Sequence, residues 1–125
     1  MKKIFILFTA IVFAVGCGNR YDSVDAQEFA KVLENPEVQL IDTRAPEDFN
    51  KGHIPGALNI YVDSEDFYEQ MNRIDKSRPV AIYCRGGRQS EIAAERFAGE
   101  GYNVTELEGG LITWEGEIET ESEKE

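Results

Sequence analysis

The chain has 125 residues, enough for one domain around a single core. Its formal net charge is −11, from 13 Lys and Arg against 24 Asp and Glu. Such a chain is repelled by nucleic acid and by anionic membrane surfaces, so neither is expected as a partner.

Lys2 and Lys3 make a basic start, and an apolar run follows over residues 4–15. The run is shorter than the roughly 20 residues that a membrane-spanning helix needs, and it has the form of an export signal. It closes on Ala14-Val15-Gly16-Cys17, small residues before a cysteine, which resembles a bacterial lipobox, although Ala14 stands where that pattern prefers Leu. The expectation is a lipoprotein signal peptide over residues 1–16, with Cys17 lipidated and residues 17–22 as a tether. The protein would then be exported and held at the cell envelope, facing the periplasm or the exterior, and would touch the membrane through its lipid alone. Ordinary signal-peptide cleavage or a retained anchor are the alternatives. Once Cys17 carries lipid, Cys84 has no partner in the chain, and an unpaired cysteine in an exported protein suggests a reactive thiol or an intermolecular bridge.

The folded domain is expected over residues 23–116. Asp25 can cap a first helix, with Glu28 three residues later as in a capping box, and Phe29, Val32 and Leu33 give it an apolar stripe. Residues 38–42 read as a short strand ending at Asp42, and residues 45–49 as a helical turn. A turn-rich segment containing His53 leads to a brief strand at residues 58–60. A second helix is predicted over residues 64–74, with Phe67, Met71 and Ile74 on one face. Pro79 introduces a strand over residues 80–83, a helix opening at Glu91 follows and ends near residues 99–101, and a last strand covers residues 103–107. Leu111, Ile112 and Trp114 pack a final turn. Residues 117–125, rich in Glu, Thr and Ser, read as a disordered acidic tail. Strands alternating with helices imply an α/β fold with a parallel sheet, and ligands in such sheets bind beyond the carboxyl ends of the strands. Asp42 and Cys84 both fall there.

Tyr83-Cys84-Arg85-Gly86-Gly87-Arg88-Gln89-Ser90 carries the chemistry. It puts a lone thiol between a strand and a helix. Two glycines let the backbone curl so that successive N–H groups face one anion. The helix N-terminus with Arg85 and Arg88 adds positive potential, which favours thiolate over thiol. A buried structural cysteine before an ordinary turn is the plainer reading, but it leaves the flanking arginines without a use. The loop is positive within an acidic chain, which suits an anionic ligand.

Three blocks make the chain similar to the single-domain rhodanese family. They are Leu40-Ile41-Asp42-Thr43-Arg44 running on to Gly52-His53-Ile54-Pro55-Gly56-Ala57, the Cys84 loop, and Leu107-Glu108-Gly109-Gly110-Leu111-Ile112-Thr113-Trp114. The resemblance implies a rhodanese-like α/β fold, with an approximately five-stranded, mostly parallel sheet flanked by helices. It implies a sulfurtransferase in which Cys84 takes a sulfane sulfur from a small anionic donor such as thiosulfate and passes it to a thiol or protein acceptor. The loop from Arg85 through Gly86, Gly87, Arg88 and Gln89 would hold the persulfide, with Arg88 preferred over Arg85 for the donor anion. No metal and no organic cofactor is implied. Relatives often carry a basic residue where this chain has Gln89, which offers hydrogen bonds but no charge. Asp42 and Arg44 resemble a structural ion pair at a strand end, and Ser90 supports the loop. His53, the single histidine, reads as a structural hydrogen-bonding group rather than as the partner of Cys84.

Other classes fit less well. Cysteine phosphatases and arsenate reductases need an arginine six places after the nucleophile, and here that place is Ser90. A persulfide carrier that does not turn over, or a rhodanese-like binding module tethered at the envelope, would use the same loop, and sequence separates these poorly from a turnover enzyme.

Overall fold

A computed structural model describes residues 20–120. The expected signal peptide, Cys17 and residues 121–125 of the expected tail lie outside the described residues. Strand β1 (Asp22–Val24) leads to α1 (Ala26–Val32), β2 (Gln39–Asp42), α2 (Pro46–Lys51) and β3 (Leu58–Asn59). Then come α3 (Phe67–Met71), β4 (Val80–Tyr83), α4 (Arg88–Gly99), β5 (Val104–Leu107) and a 3₁₀ turn at Leu111–Thr113. The strands form one five-stranded sheet in the order β1-β5-β4-β2-β3, and every pairing is parallel.

Side chains alternate across the sheet with the period of two that a strand imposes. Val80 and Ile82 of β4, Ile41 of β2 and Val104 of β5 point to one face and meet Phe67, Met71 and Phe97. Leu40, Ala81, Tyr83 and Leu107 point to the other and meet Phe29, Phe49 and Ile54. A fully buried Phe or Ile of this kind contributes roughly 1.5–3 kcal/mol, so covering both faces is what holds the parallel sheet in place. All four residues of β4 are buried, as befits the central strand.

The local signals act as expected at several ends. Asp25 accepts the Glu28 N–H at 2.9 Å and caps α1. Pro46 occupies the first turn of α2, where a missing N–H costs nothing. Gly101, at φ +96°, ends the run after α4, and the Tyr102 N–H returns to the Phe97 carbonyl.

Four boundaries differ from the sequence reading. The tether was expected through residue 22, yet Asp22 opens β1, which pairs with Thr105, Glu106 and Leu107. Its three residues are mostly polar and carry no alternation to read. Helix α3 is five residues long rather than spanning residues 64–74. The Ser64 hydroxyl bonds to Asp66 and competes with helix at the start, and Ile74 N–H turns back to Met71 in an i+3 bond at the end. Helix α4 begins at Arg88, three residues before Glu91, because Gly87 adopts a left-handed conformation and its carbonyl receives the Glu91 N–H. Residues 117–120 of the expected tail pack against the domain. Glu119 and His53 exchange backbone hydrogen bonds at 2.9 Å in each direction, and the Trp114 indole N–H donates to the Glu117 carbonyl.

Candidate active site

Strand β4 delivers Cys84 to the carboxyl end of the sheet, with its side chain on the face that α4 covers. The residue is 1% exposed. The Gly87 N–H donates to Cys84 Sγ at 3.0 Å, so one loop amide already points at the sulfur. Gly87 sits at φ +99°, a conformation that a side chain strongly disfavours, and it caps α4. The unpaired N–H groups of the first turn therefore bring partial positive charge to the sulfur's side of the helix. Ser90, in that first turn, is buried and places Oγ 3.3 Å from Sγ.

The loop is propped from below by the turn at Gly109 and Gly110. Leu111 N–H donates to the Cys84 carbonyl at 2.8 Å, and Ile112 N–H donates to the Arg85 carbonyl at 3.1 Å. A Cβ at Gly110, itself at φ +68°, would lie 2.3 Å from the Arg85 oxygen and 2.6 Å from the Gly86 nitrogen. Only a glycine lets the two backbones approach this closely. The third sequence block thus acts on the thiol loop, beyond supplying a turn and a core anchor.

Arg85 and Arg88 part company. Arg85 is exposed and lines an open groove of about 520 Å³, shared with Arg44, Lys51, Leu111, Ile112 and Ile118. Arg88 is also exposed but stands on the first turn of α4 and is not among the residues lining that groove. Gln89 is half-buried beside it. Of the two arginines expected to meet a donor anion, Arg85 lines this groove and Arg88 does not.

Asp42 and Arg44 form a buried, bidentate pair. Arg44 Nε donates to Oδ1 at 3.0 Å, Nη2 to Oδ2 at 2.6 Å, and Nη2 also to the Gly52 carbonyl at 2.6 Å. Burial alone would lower the Arg44 guanidinium, but the hydrogen bond and charge of Asp42 hold it above its ordinary value. Tyr83 joins the pair. Its hydroxyl accepts the Ile54 N–H at 2.9 Å, and burial, followed by the Asp42 charge, pushes it well up. This cluster fixes the chain after β2 and before β3, and forms one wall of the groove through Arg44. His53 is fully buried on the same side, stacked on Phe49 at a ring separation of 3.8 Å. Its Nδ1 meets the Phe49 carbonyl at 2.9 Å and its Nε2 meets Glu119 at 3.2 Å. These contacts are those of a structural histidine.

One residue of the site escaped the sequence reading. Glu106 on β5 is fully buried and accepts from Ser23 and Ser90, each at 2.6 Å. The signal was an acid two places after Val104 in a strand of apolar period, an inward position that ordinarily takes an apolar side chain.

A thiol at the carboxyl end of a central parallel strand, followed by a curled loop and a helix N-terminus, defines an α/β domain that holds a cysteine at the ligand-binding edge of its sheet. The rhodanese-like domain family model matches residues 25–117, and the chain belongs to that family. It is 35% identical over 95 residues to a sulfurtransferase of Allochromatium vinosum, covering 74% of this chain and 87% of the relative. It is 30% identical over 95 residues to the thiosulfate sulfurtransferase GlpE of Shewanella oneidensis, covering 75% and 92%. The crystal structure of a rhodanese-like domain protein from Staphylococcus aureus superposes with a TM-score of 0.70 at 30% identity, over 80% of this chain and 98% of the other. The fold is the rhodanese-like one, and the family function is sulfur transfer.

Replacing Gly110 tests the prop beneath the loop. Gly110→Ala combines a strained left-handed alanine with overlap onto the Arg85 backbone, and is expected to cost at least about 1 kcal/mol in urea unfolding. It should also change the alkylation rate of Cys84, whereas Gly99→Ala, where a Cβ meets open space, should leave that rate unchanged. Equal rates in both variants would show that the turn does not shape the loop.

Proposed function

We propose that this chain is a turnover sulfurtransferase that carries a sulfane sulfur as a persulfide on Cys84. The single observation that carries this reading is the Gly87 N–H directed at Cys84 Sγ from the start of α4. That arrangement suits a sulfur atom bearing negative charge, as thiolate or as persulfide. The donor is a small anion such as thiosulfate, a choice supported by the Shewanella relative, a thiosulfate sulfurtransferase, and by Arg85 beside the groove. The thiolate attacks the donor's outer sulfur, and sulfite leaves with the bonding pair. The loop amides then face the terminal sulfur of Cys84–S–S⁻. An acceptor nucleophile, a thiol in nature or cyanide in an assay, removes that sulfur and regenerates the thiolate. Two half-reactions through a covalent intermediate give ping-pong kinetics.

The domain works outside the reducing cytosol, anchored through lipid on Cys17. One acyl chain holds a protein only reversibly and several hold it stably, so a multiply acylated Cys17 suits permanent residence at the envelope. The thiol of Cys84 then faces oxidants, and residence as a persulfide or a dedicated reductant keeps it in use.

Thiocyanate production from thiosulfate and cyanide, with intact mass after thiosulfate alone, tests the chemistry. The wild-type chain should turn over and gain one sulfur atom, and Cys84→Ser should do neither. A stable added sulfur without turnover would replace the enzyme by a carrier. Failure with thiosulfate and with other persulfide donors would remove sulfur transfer altogether. For the anchor, Cys17→Ser should move the chain from the membrane fraction to the soluble fraction of the expressing bacterium. Retention of that variant in the membrane would contradict a lipid on Cys17.

A further inference from the structure

Glu106 is a carboxyl group set inside the protein, and among the described residues its hydrogen-bond partners are hydroxyls, with no cation paired to it. Its side chain is fully buried, and its two oxygens accept from Ser23 Oγ and Ser90 Oγ. Burying an acid is costly unless good partners offset the loss of water, and serine hydroxyls are modest donors beside an arginine. Val104, two residues earlier on the same face of β5, packs into the core. An apolar residue is what such an inward strand position ordinarily takes. What distinguishes the position is the neighbour on the far side of Ser90.

Ser90 has one proton and three neighbours within reach: Glu106 Oε2 at 2.6 Å, the Gly87 carbonyl at 3.1 Å and Cys84 Sγ at 3.3 Å. When the Ser90 O–H turns to a Glu106 carboxylate, its lone pairs face the sulfur, and the Cys84 thiol must donate to it. When Cys84 is a thiolate, lone pairs would face each other across 3.3 Å unless Ser90 turns its proton to the sulfur. Glu106 can then hold Ser90 only by donating, which requires a proton of its own. The arrangement that keeps every one of these contacts is a single proton held between sulfur and carboxyl, with the serine hydroxyl as the swivel.

We infer that Glu106 acts through Ser90 as the store for the proton that Cys84 gives up, a role that rests on the sulfur-transfer reading above. In the first half-reaction the Cys84 S–H bond breaks and its proton passes to Ser90 Oγ, while the Ser90 proton passes to Glu106 Oε2. The electron pair left on Sγ attacks the donor's outer sulfur, and the bond to the sulfite group breaks with its pair leaving on sulfite. The persulfide's charge then rests at the loop amides while Glu106 is neutral, so no second buried anion opposes it. In the second half-reaction the acceptor's electron pair takes the outer sulfur and the S–S pair returns to Sγ. The proton then comes back from Glu106 by way of Ser90. Glu106 touches neither donor nor acceptor and is a positioning residue.

Few other ionisable groups face this trio. Arg88, Glu91 and Glu95 stand exposed on α4, where solvent and salt screen them. Tyr21 lies ahead of β1, and burial together with the carboxylates of Glu106, Glu91 and Glu95 pushes its hydroxyl up. It stays protonated while the thiol and carboxyl exchange their proton.

Alkylation of Cys84 by iodoacetamide, followed on its own peptide in the full chain in detergent, tests the sharing without any sulfur being moved. Two groups sharing a proton titrate in two macroscopic steps. The wild-type rate should therefore rise in two steps separated by a plateau as pH increases, and Glu106→Gln should show one. The same variant should form persulfide from thiosulfate more slowly, on the order of a hundredfold near neutral pH, the lower end of what general-base assistance contributes. A single step in the wild type, or two unchanged steps in the variant, would overturn the proposal while leaving sulfur transfer intact. Two steps in a protein that never gains sulfur would instead sink the sulfur-transfer reading. Should the variant not fold, the infrared difference spectrum of the wild type on thiosulfate loading decides. A protonated-carboxyl band that appears with the persulfide and vanishes with cyanide supports the proton store, and its absence rejects it.

Discussion

The thiol loop keeps its shape because another backbone is pressed against it. Gly110 approaches Arg85 and Gly86 so closely that no side chain fits between them, and Leu111 and Ile112 hold the Cys84 and Arg85 carbonyls from below. With those carbonyls engaged, the loop's amides are left to face the other way. Gly87 completes the curl in a left-handed conformation and hands the chain directly to α4. A flexible segment would have to be ordered for each turnover, at roughly 1–2 kcal/mol per residue. Here the ordering is done on folding, by a turn more than twenty residues away in sequence, so the seat for a charged sulfur is preorganised.

The two faces of the sheet divide the labour. On one face Cys84, Ser90 and Glu106 form a buried polar line between β4, α4 and β5. On the other, Asp42, Arg44 and Tyr83 tie together the ends of β2 and β4 and the segment entering β3, and Arg44 turns toward the groove. Both clusters are expensive to bury and fully bonded, and each sits at the carboxyl end of the sheet, where a parallel fold opens to ligands. The apolar residues beneath them, from Val80 and Ile82 to Phe97, supply the stability that tolerates this polar end.

Much of this was legible in the residues, because the informative signals were local. The buried run of β4, the Asp25 cap, the Gly-Gly curl after Cys84 and the alternation of strands and helices depend on neighbours close in sequence. What stayed hidden depends on distant partners. β1 is short and polar, and becomes a strand only because β5 offers it an edge. Glu119 looked like part of a solvated acidic tail until His53 supplied backbone and side-chain partners across 66 positions. Glu106 looked like an acid at an ordinary strand position, and its meaning comes from Ser90, whose own place in the first turn depended on where α4 begins. Which arginine lines the groove was hidden for the same reason. Residues three apart around a loop and helix start face different surroundings, and spacing alone does not say which meets the groove.

The central claim is that Cys84 itself carries the transferred sulfur. The most direct test is thiosulfate radiolabelled in its outer sulfur, mixed with the full chain, quenched without reductant and mapped by peptide. The account predicts label on the Cys84 peptide, chased quantitatively into thiocyanate when cyanide is added. Labelled thiocyanate formed with the Cys84 peptide never carrying label would contradict it.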